Sequence, residues 1–258
     1  NDRMSFMRFL GINLCEKVPD AKTIWKFKND LAETETVDKF FCMFDEHLEN
    51  KGLISHKGTI VDATFVDAPR QRNSRDENKK IKNGVIPEGW EKPENKSKLA
   101  QKDIDADWTK KNGERHFGYK DHVKCDADSK LITNYSVTSA SVHDSQRCLV
   151  FIGQEDEVLY ADSAYSGKPI ALALPENCKN QICEKGYRNS PLTSEQKMNN
   201  RRKSRIRCRI EQIFGFMTGD MHGITIRSIG ITRAWMNIGI TNLVYNFCRY
   251  SYLKRASA

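Results

Sequence analysis

Residues 198–217 read MNNRRKSRIRCRIEQIFGFM, in which one acid, Glu211, stands among basic residues. Apolar residues recur through this stretch at helical spacing, so one side of a helix is expected to pack on a core. These residues are Ile206, Ile210, Ile213, Phe214 and Met217. The basic residues expected to lie largely outside that core are Arg201, Arg202, Lys203, Arg205 and Arg209. The stretch therefore predicts an amphipathic helix that carries a lone carboxylate in a positive field.

Arg207 and Glu211 are one helical turn apart and fall on the same flank of the apolar side. Two interpretations are open at this point. The pair is either an ordinary ion pair on a solvated helix or part of an active-site rim. Acids elsewhere in the chain bear on this choice.

The composition predicts one main domain with a basic surface. The 258 residues carry a net charge of +8 with 29% charged residues, and the pI is about 9.0. This balance favours polyanions such as nucleic acid as partners. The eight cysteines form no C-x-x-C pair, which predicts reduced thiols and argues against a zinc site at Cys178 and Cys183.

The ends and the hydropathy of the chain give two further expectations. No apolar run approaches membrane-spanning length, so we expect a soluble, cytoplasmic protein. The chain begins at Asn1, without a methionine and inside a predicted helix, so we expect an N-terminal piece to be missing.

The order of the apolar patterns predicts two parts. Residues 1–55 are expected to form an N-terminal helical region, whose first helix has Phe6, Phe9, Leu10 and Leu14 on one face and whose second is capped by Asp20. Residues 56–258 are expected to form the catalytic domain, with a polar insertion at 68–115. Strands are predicted at 59–66, 117–125, 132–138, 158–162 and 179–184. Helices are predicted at 144–152, 167–174 and 231–252, and a Thr193–Gln196 capping box opens the basic helix.

Three acids lie in separate elements: Asp62 in the first strand, Asp162 at the end of a later strand, and Glu211 on the basic helix. Carboxylates from three elements form a natural cage for two Mg²⁺ ions, which need oxygen ligands. Two such ions can activate water or a 3′-hydroxyl and stabilise the leaving oxygen of a phosphoryl displacement. Alternatively, Asp62 is a strand-edge acid and Asp162 caps the next turn. Asp67 should point to the opposite face of its strand from Asp62, so we exclude it from this site.

Seven stretches in order along nearly the whole chain carry a resemblance to a known family. They are SFMRFLG at 5–11, VPDAKTIW at 18–25, DAT at 62–64, FGYK at 117–120, residues 138–144 ending in Val142-His143-Asp144, ADSAY at 161–165, and residues 207–215. The chain resembles the DDE transposases of bacterial insertion sequences, specifically the IS-five branch related to eukaryotic Harbinger elements.

The resemblance implies an α/β, ribonuclease-H-like fold with a mixed sheet flanked by helices. It implies that Asp62, Asp162 and Glu211 are the catalytic triad and the ligands of two Mg²⁺ ions, for which Mn²⁺ can substitute. Arg207 matches the arginine of the family's Tyr-Arg-Glu-Lys signature, which implies a role near DNA phosphate or the scissile group.

The chain departs from that signature at two positions. Ser204 stands in the place of the tyrosine, and Thr218 stands in the place of the lysine, which in relatives contacts the transposon end. These substitutions put contacts with terminal DNA in doubt without affecting metal binding.

Further residues are candidates for binding DNA. The outward basic residues Arg201, Arg202, Lys203, Arg205 and Arg209 fit phosphate contacts, and a solvated helix face is the alternative. His143 could position water or phosphate, or the pair His143-Asp144 caps a helix. Trp90 and Trp108 could clamp DNA or stack on an unpaired base; alternatively, the insertion is loosely ordered.

These expectations describe a transposase that cuts the ends of its own element and joins them to target DNA. Its partners would be the terminal inverted repeats and target DNA, with a homodimer or higher oligomer on paired ends, at the nucleoid of a bacterial cytoplasm. Two alternatives stay open: a ribonuclease-H-like nuclease that only hydrolyses, and a decayed or domesticated copy that binds DNA without cutting it.

Overall fold

Three helices precede the sheet in the computed structural model, which describes residues 4–13, 16–111 and 113–256. They are α1 (Met4–Leu10), α2 (Ala21–Glu33) and α3 (Thr36–Asn50). The predicted cap is confirmed, because the backbone N–H of Thr23 donates to the Asp20 carboxylate at 2.7 Å. Leu14, expected on the apolar face of the first helix, and Cys15 lie outside the described residues.

The third helix packs into the core of the domain that follows it. Phe41 of α3 is 4% exposed and belongs to the largest buried cluster of the molecule. Asp38 of the same helix accepts hydrogen bonds from Tyr135 and from the indole N–H of Trp235. The predicted division at residue 55 therefore runs between elements that share one core.

Six strands form one mixed sheet. They are β1 (Thr59–Asp67), β2 (Asp107–Lys111), β3 (Glu114–Asp126), β4 (Ile132–Ser139), β5 (Val158–Tyr160) and β6 (Lys179–Asn180). β3 pairs antiparallel with β1 on one edge, and with β2 and then β4 on the other. β1 pairs parallel with β5, and β5 pairs parallel with β6. This sheet, with helices packed around it, confirms the ribonuclease-H-like α/β fold.

The remaining helices are α4 (Arg75–Lys82), α5 (Lys96–Ala100), α6 (Ser145–Phe151), α7 (Lys168–Ala173), α8 (Ser194–Arg207), α9 (Arg209–Thr218) and α10 (Ile231–Ala256). The predicted single basic helix is broken at Cys208 into α8 and α9. Of the strand predicted at 179–184, only Lys179–Asn180 is regular, although the N–H groups of Gln181 and Cys183 still donate to the carbonyls of Leu159 and Ala161 at 2.8 and 3.0 Å. Within the described ranges, no helix is both long and apolar enough to cross a membrane.

The apolar side of the basic helix packs as predicted. Ile210 and Ile213 are fully buried and Met217 is 2% exposed, all in the cluster that includes Ile60 and Val123 of the sheet. Burial of large aliphatic side chains of this kind contributes about 1.5–3 kcal/mol each. This packing fixes α9 over β1.

The polar insertion is ordered around a buried tryptophan, which corrects the expectation of a loose excursion. Trp90 is 2% exposed, and its indole N–H donates to the Glu77 carboxylate of α4 at 2.9 Å. The Lys98 and Lys102 ammonium groups lie 5.0 and 5.5 Å from the ring centroid. Trp90 therefore has no face open for a base and serves as the core of the insertion.

The insertion is also tied to the sheet. The Tyr119 hydroxyl of β3 donates to both oxygens of Asp103, at 2.8 and 2.7 Å. The predicted insertion range additionally contains β2 and the first residues of β3, which pair with each other. The segment between Asp67 and β3 is therefore a part of the domain that adds a strand to its sheet.

Asp121 on β3 gives a test of the core. Its carboxyl group is fully buried, accepts one hydrogen bond from Asn242 of α10 at 3.2 Å, and has a second oxygen without a partner among the described residues. Burial raises the pKa of Asp121 to about 8. Between about pH 4 and pH 8, Asp121 is thus protonated in the folded state and ionised in the unfolded state.

Stability should therefore fall as the pH rises through this range, by up to about 1.4 kcal/mol per pH unit from this one group. In Asp121→Asn that contribution disappears, so the free energy of unfolding should depend less steeply on pH. Urea unfolding of both proteins at about pH 5 and about pH 7 measures the difference. Identical pH slopes would show that Asp121 is ionised in the fold.

Candidate active site

The parallel pairing of β1 with β5 brings two of the predicted acids to one edge of the sheet. Thr59 pairs with Leu159, and Ile60 pairs with Tyr160. Two residues further along each chain, the same register brings Asp62 level with Asp162. Their proximity is evident in the electrostatics, since the charge of Asp162 adds to the rise in the pKa of Asp62.

The Asp62 carboxylate is 14% exposed and is held on two sides. Oδ1 accepts a hydrogen bond from the N–H of Ala63 at 2.8 Å, and Oδ2 accepts one from Nη1 of Arg207 at 2.9 Å. Burial raises the pKa of Asp62 to about 6, and the Asp162 charge acts in the same direction, against the opposing effects of these two donors. The two donors thus compensate only in part for the burial of the ionised Asp62 carboxylate.

Asp162 follows β5 and caps a short 3₁₀ helix, Ser163–Tyr165. Its Oδ1 accepts a hydrogen bond from the N–H of Ala164 at 2.7 Å. The two interpretations of Asp162 are therefore compatible. One carboxylate oxygen forms the cap, while the other forms no hydrogen bond within the described part of the chain.

Arg207 joins the central strand to the third acid. Its Nη1 reaches Asp62, and its Nη2 donates to Glu211 Oε1 at 2.5 Å. The Arg207 side chain is 19% exposed, whereas that of Glu211 is 57% exposed. The i,i+4 pair exists, as the first interpretation required, but it is no isolated surface pair, because the same guanidinium also binds a buried acid of the sheet.

This arrangement offers the oxygen ligands that hard divalent cations prefer. The three predicted acids come from β1, the end of β5 and the first turn of α9, and Arg207 supplies the positive charge between two of them. The donor set and the shortage of positive charge at Asp62 both fit a divalent cation.

A second group of metal-ligating side chains lies at the start of β1. Among the described residues, His56, Glu155 and Asp156 bring ligand atoms within 4.8 Å of one another. The Lys124 ammonium lies 2.8 Å from Asp156, which also accepts a hydrogen bond from the Thr59 hydroxyl at 2.6 Å. Lys124 neutralises this group, just as Arg207 neutralises Asp62 and Glu211, so a cation at either place would compete with a basic side chain.

The basic residues of α8 and α9 divide into two sets. Arg201, Arg202 and Arg205 are exposed and form no ion pair in the described part of the chain. By contrast, Lys203 donates to the Ile182 carbonyl at 2.9 Å, and Arg209 donates to the Ala127 carbonyl at 2.7 Å and lies 3.0 Å from Asp128. All five lie outside the buried core, but Lys203 and Arg209 are partly buried and already bound to carbonyl groups of neighbouring segments.

His143 is exposed and organises the start of α6. Its Nδ1 accepts a hydrogen bond from the N–H of Ser145 at 3.3 Å and lies 2.8 Å from the Ser145 hydroxyl. His143 thus contacts the first residue of α6, whereas Asp144, at the N-cap position, forms no side-chain cap. Trp108 of β2 is half-buried, packs on Phe117 and has the Arg70 guanidinium 5.8 Å from its ring centroid.

Two motifs of the sequence meet at a buried ion pair that the sequence did not predict. Lys120 of β3 lies 2.7 Å from Asp144 and donates to the Val142 carbonyl at 2.6 Å. Gly118, in the same motif, has φ +147°, and an added Cβ would lie 2.3 Å from the Val66 carbonyl oxygen. The stretches 117–120 and 142–144 are therefore partners in the fold.

Tyr165 is a second residue that the sequence did not single out. Its side chain is 1% exposed, and its hydroxyl has no hydrogen-bond partner among the described residues. Burial raises the pKa of Tyr165 above its usual range, and the charges of Asp62, Asp144 and Asp162 add to this. An uncharged hydroxyl thus lies close to the acids. The sequence signal that could have pointed to Tyr165 was its position in the stretch 161–165, which carries part of the family resemblance.

Comparison with known families agrees with this geometry. Residues 54–247 match the family described as the transposase DDE domain, and residues 1–30 match a transposase domain of the DUF772 family. The first match covers most of the chain and contains Asp62, Asp162 and Glu211. The chain belongs to the DDE transposase family. No solved structure matches this transposase. The family implies DNA as the substrate.

The Arg207 contacts of the transposase can be tested without substrate. Arg207→Met leaves the buried Asp62 carboxylate without its cation and should lower the free energy of unfolding by about 1–3 kcal/mol in EDTA at neutral pH. Asp62→Asn/Arg207→Met should recover most of that loss, because no unpaired charge remains. Urea unfolding of the single and double variants gives the coupling energy.

Arg205→Met is the matched control, since Arg205 is exposed two residues away and forms no ion pair in the described part of the chain. It should change stability by less than about 0.5 kcal/mol. Equal effects of the two arginine variants would contradict the bridging role of Arg207.

Proposed function

We propose that this transposase cuts the ends of its own element and joins them to target DNA, using divalent cations held by Asp62, Asp162 and Glu211. The observations that support the proposal are the β1–β5 register, in which Asp62 and Asp162 each follow the last pair by two residues, and the contacts of Arg207 with Asp62 and Glu211. Two Mg²⁺ ions would occupy the site, and Mn²⁺ can substitute.

Such cations would activate the attacking water or 3′-hydroxyl and stabilise the leaving oxygen. Groups of the chain itself orient the acids and determine the charge of the site. Ala63 and Ala164 fix the directions of Asp62 and Asp162 through backbone N–H groups. Asp62, with a pKa of about 6, is mostly ionised at neutral pH and thus available as a ligand. Arg207, at the rim, orients a DNA phosphate.

The proposed partners are the terminal inverted repeats and target DNA. Arg201, Arg202 and Arg205 are exposed on the same helix as Arg207 and contact phosphates beside the acids. Lys203 and Arg209 would add to this surface only by exchanging their present contacts. Two or more copies assemble on paired ends, and the chain belongs to the IS-five branch and acts at the bacterial nucleoid.

One observation favours the alternative of a domesticated protein that binds DNA without cutting. Thr218, in the place of the signature lysine, donates its hydroxyl to the Phe214 carbonyl of its own helix at 2.7 Å. This position therefore offers no cation to the transposon end. Detection of Mg²⁺-dependent nicking separates the two functions, and detection of strand joining separates a transposase from a nuclease that only hydrolyses.

Catalysis should depend on Asp62 and Glu211 and should tolerate loss of Asp67. In Asp62→Asn and Glu211→Gln, cleavage of DNA that carries the element's inverted repeat should fall by more than about 100-fold, because a metal ligand is lost. Asp67→Asn is the matched control: it removes an acid from the same strand, on the other face, where its side chain is 71% exposed. Gel assays of nicked and joined products measure the rates. Unchanged cleavage by Glu211→Gln would refute the triad.

Cation binding can be measured apart from catalysis. Mg²⁺ or Mn²⁺ at millimolar concentration should raise the Tm of the wild-type protein, since a ligand that binds only the folded state stabilises it. The increase should be smaller in Asp62→Asn and unchanged in Asp67→Asn. Equal increases in all three proteins would place the cation elsewhere, for example at His56 and Asp156.

A further inference from the structure

A groove lined by cations lies between α4 of the insertion and strand β2, with a volume of about 660 Å³. Its basic lining residues are Arg75, Lys79 and Lys82 on the helix and Lys110 and Arg115 on the strands. The half-buried ring of Trp108 is part of the lining. Asp107 is the single acid of the lining; it is 8% exposed and accepts a hydrogen bond from the backbone N–H of Trp108 at 2.7 Å.

The secondary structure concentrates these cations. Arg75, Lys79 and Lys82 are spaced i, i+4 and i+7 and so share one face of α4. Lys110 and Arg115 are directly opposite each other in the β2–β3 ladder. Like charges at these spacings repel one another by a few tenths of a kcal/mol per pair. The arrangement is thus unfavourable for folding alone.

None of the five cations has a compensating acid. All five are exposed, and none forms a side-chain hydrogen bond or ion pair in the described part of the chain. Some other lysines of the insertion are paired: Lys80 lies 2.9 Å from Glu88, and Lys98 lies 3.5 Å from Glu77. The groove thus brings five unpaired cations together on its two walls.

The groove is held in place and leads toward the acids. Glu77 and Trp90 fix α4, and the bond between Tyr119 and Asp103 ties the insertion to the sheet. At the end of β2, the Lys111 ammonium lies 5.5 Å from the ring centroid of Phe65 on β1. Positive charge thus extends from the groove to the strand that carries Asp62.

We propose that the α4–β2 groove binds the phosphodiester backbone of DNA. Five unpaired cations on two walls match a chain of phosphates, whereas a protein surface of mixed charge would leave like charges uncompensated. The inference rests on the proposed function for the identity of the polyanion. The DNA is either the transposon end or the target.

The test is the salt dependence of DNA binding by variants that each lose two charges. Lys79→Gln/Lys82→Gln removes cations of the helix wall, and Lys110→Gln/Arg115→Gln removes those of the strand wall. Lys92→Gln/Lys96→Gln is the matched control, because both lysines are exposed in the same insertion and neither lines the groove. Fluorescence anisotropy is measured in EDTA with short labelled duplexes, one carrying the inverted repeat and one of unrelated sequence.

Each groove variant should bind more weakly, and its slope of log Kd against log salt should fall by about 2, since each lost phosphate contact removes about 0.9. The control variant should keep the wild-type slope. A change seen only with the inverted-repeat duplex assigns the groove to the transposon end, and a change with both duplexes assigns it to DNA in general. Equal slopes in all variants, or equal losses in groove and control variants, would overturn the proposal.

Folding and catalysis are controlled separately. The exposed, mutually repelling cations should be replaceable without lowering the Tm, which thermal unfolding checks. Failure of cleavage with intact groove effects would refute the proposed function alone, whereas cleavage by wild-type protein with unchanged slopes would refute the groove alone.

Discussion

The short parallel ladder between β1 and β5 is the constraint on which the site depends. Only two residue pairs form it, and it ends at Ile60 and Tyr160. β1 continues to Asp67 in full register with β3 on its other edge, whereas its pairing with β5 ends at Ile60. The edge of β1 beyond Ile60 is therefore not paired with β5. Asp62 occupies this edge because it follows the last pair by two residues, and Asp162 does the same on the partner strand.

Such an edge concentrates negative charge, and the local hydrogen bonds show how the fold tolerates it. Each aspartate uses one oxygen to accept a backbone N–H from its own loop or strand, at 2.7–2.8 Å. The remaining oxygen of Asp62 meets Arg207. Burial still raises the pKa of Asp62 to about 6. A carboxylate that is oriented but undercompensated costs stability and gains affinity for a cation, which is typical of functional sites.

Local patterns of the sequence predicted much of this arrangement, because they depend on neighbouring residues. Asp20 and the Thr193–Gln196 capping box start helices as expected, and the β-rich run at 59–66 predicted the strand that carries Asp62. Contacts between distant segments were not predictable from these patterns. The insertion is rich in charge, yet one indole, Trp90, and its bond to Glu77 order it. Composition alone does not show that a single buried ring can organise a polar segment.

The break between α8 and α9 at Cys208 explains why Arg207 and Glu211, which form one i,i+4 ion pair, are held in place differently. Glu211 stands in the first turn of α9, which is anchored by the buried Ile210, Ile213 and Met217. Arg207 ends α8, in which no residue is buried. A continuous helical pattern hides this difference, since periodicity does not reveal where packing stops. The acid is therefore fixed by the core, while the guanidinium is held mainly by its two carboxylate partners. A cation that displaces the guanidinium from these carboxylates therefore requires a side-chain movement at the end of α8 and no rearrangement of the core.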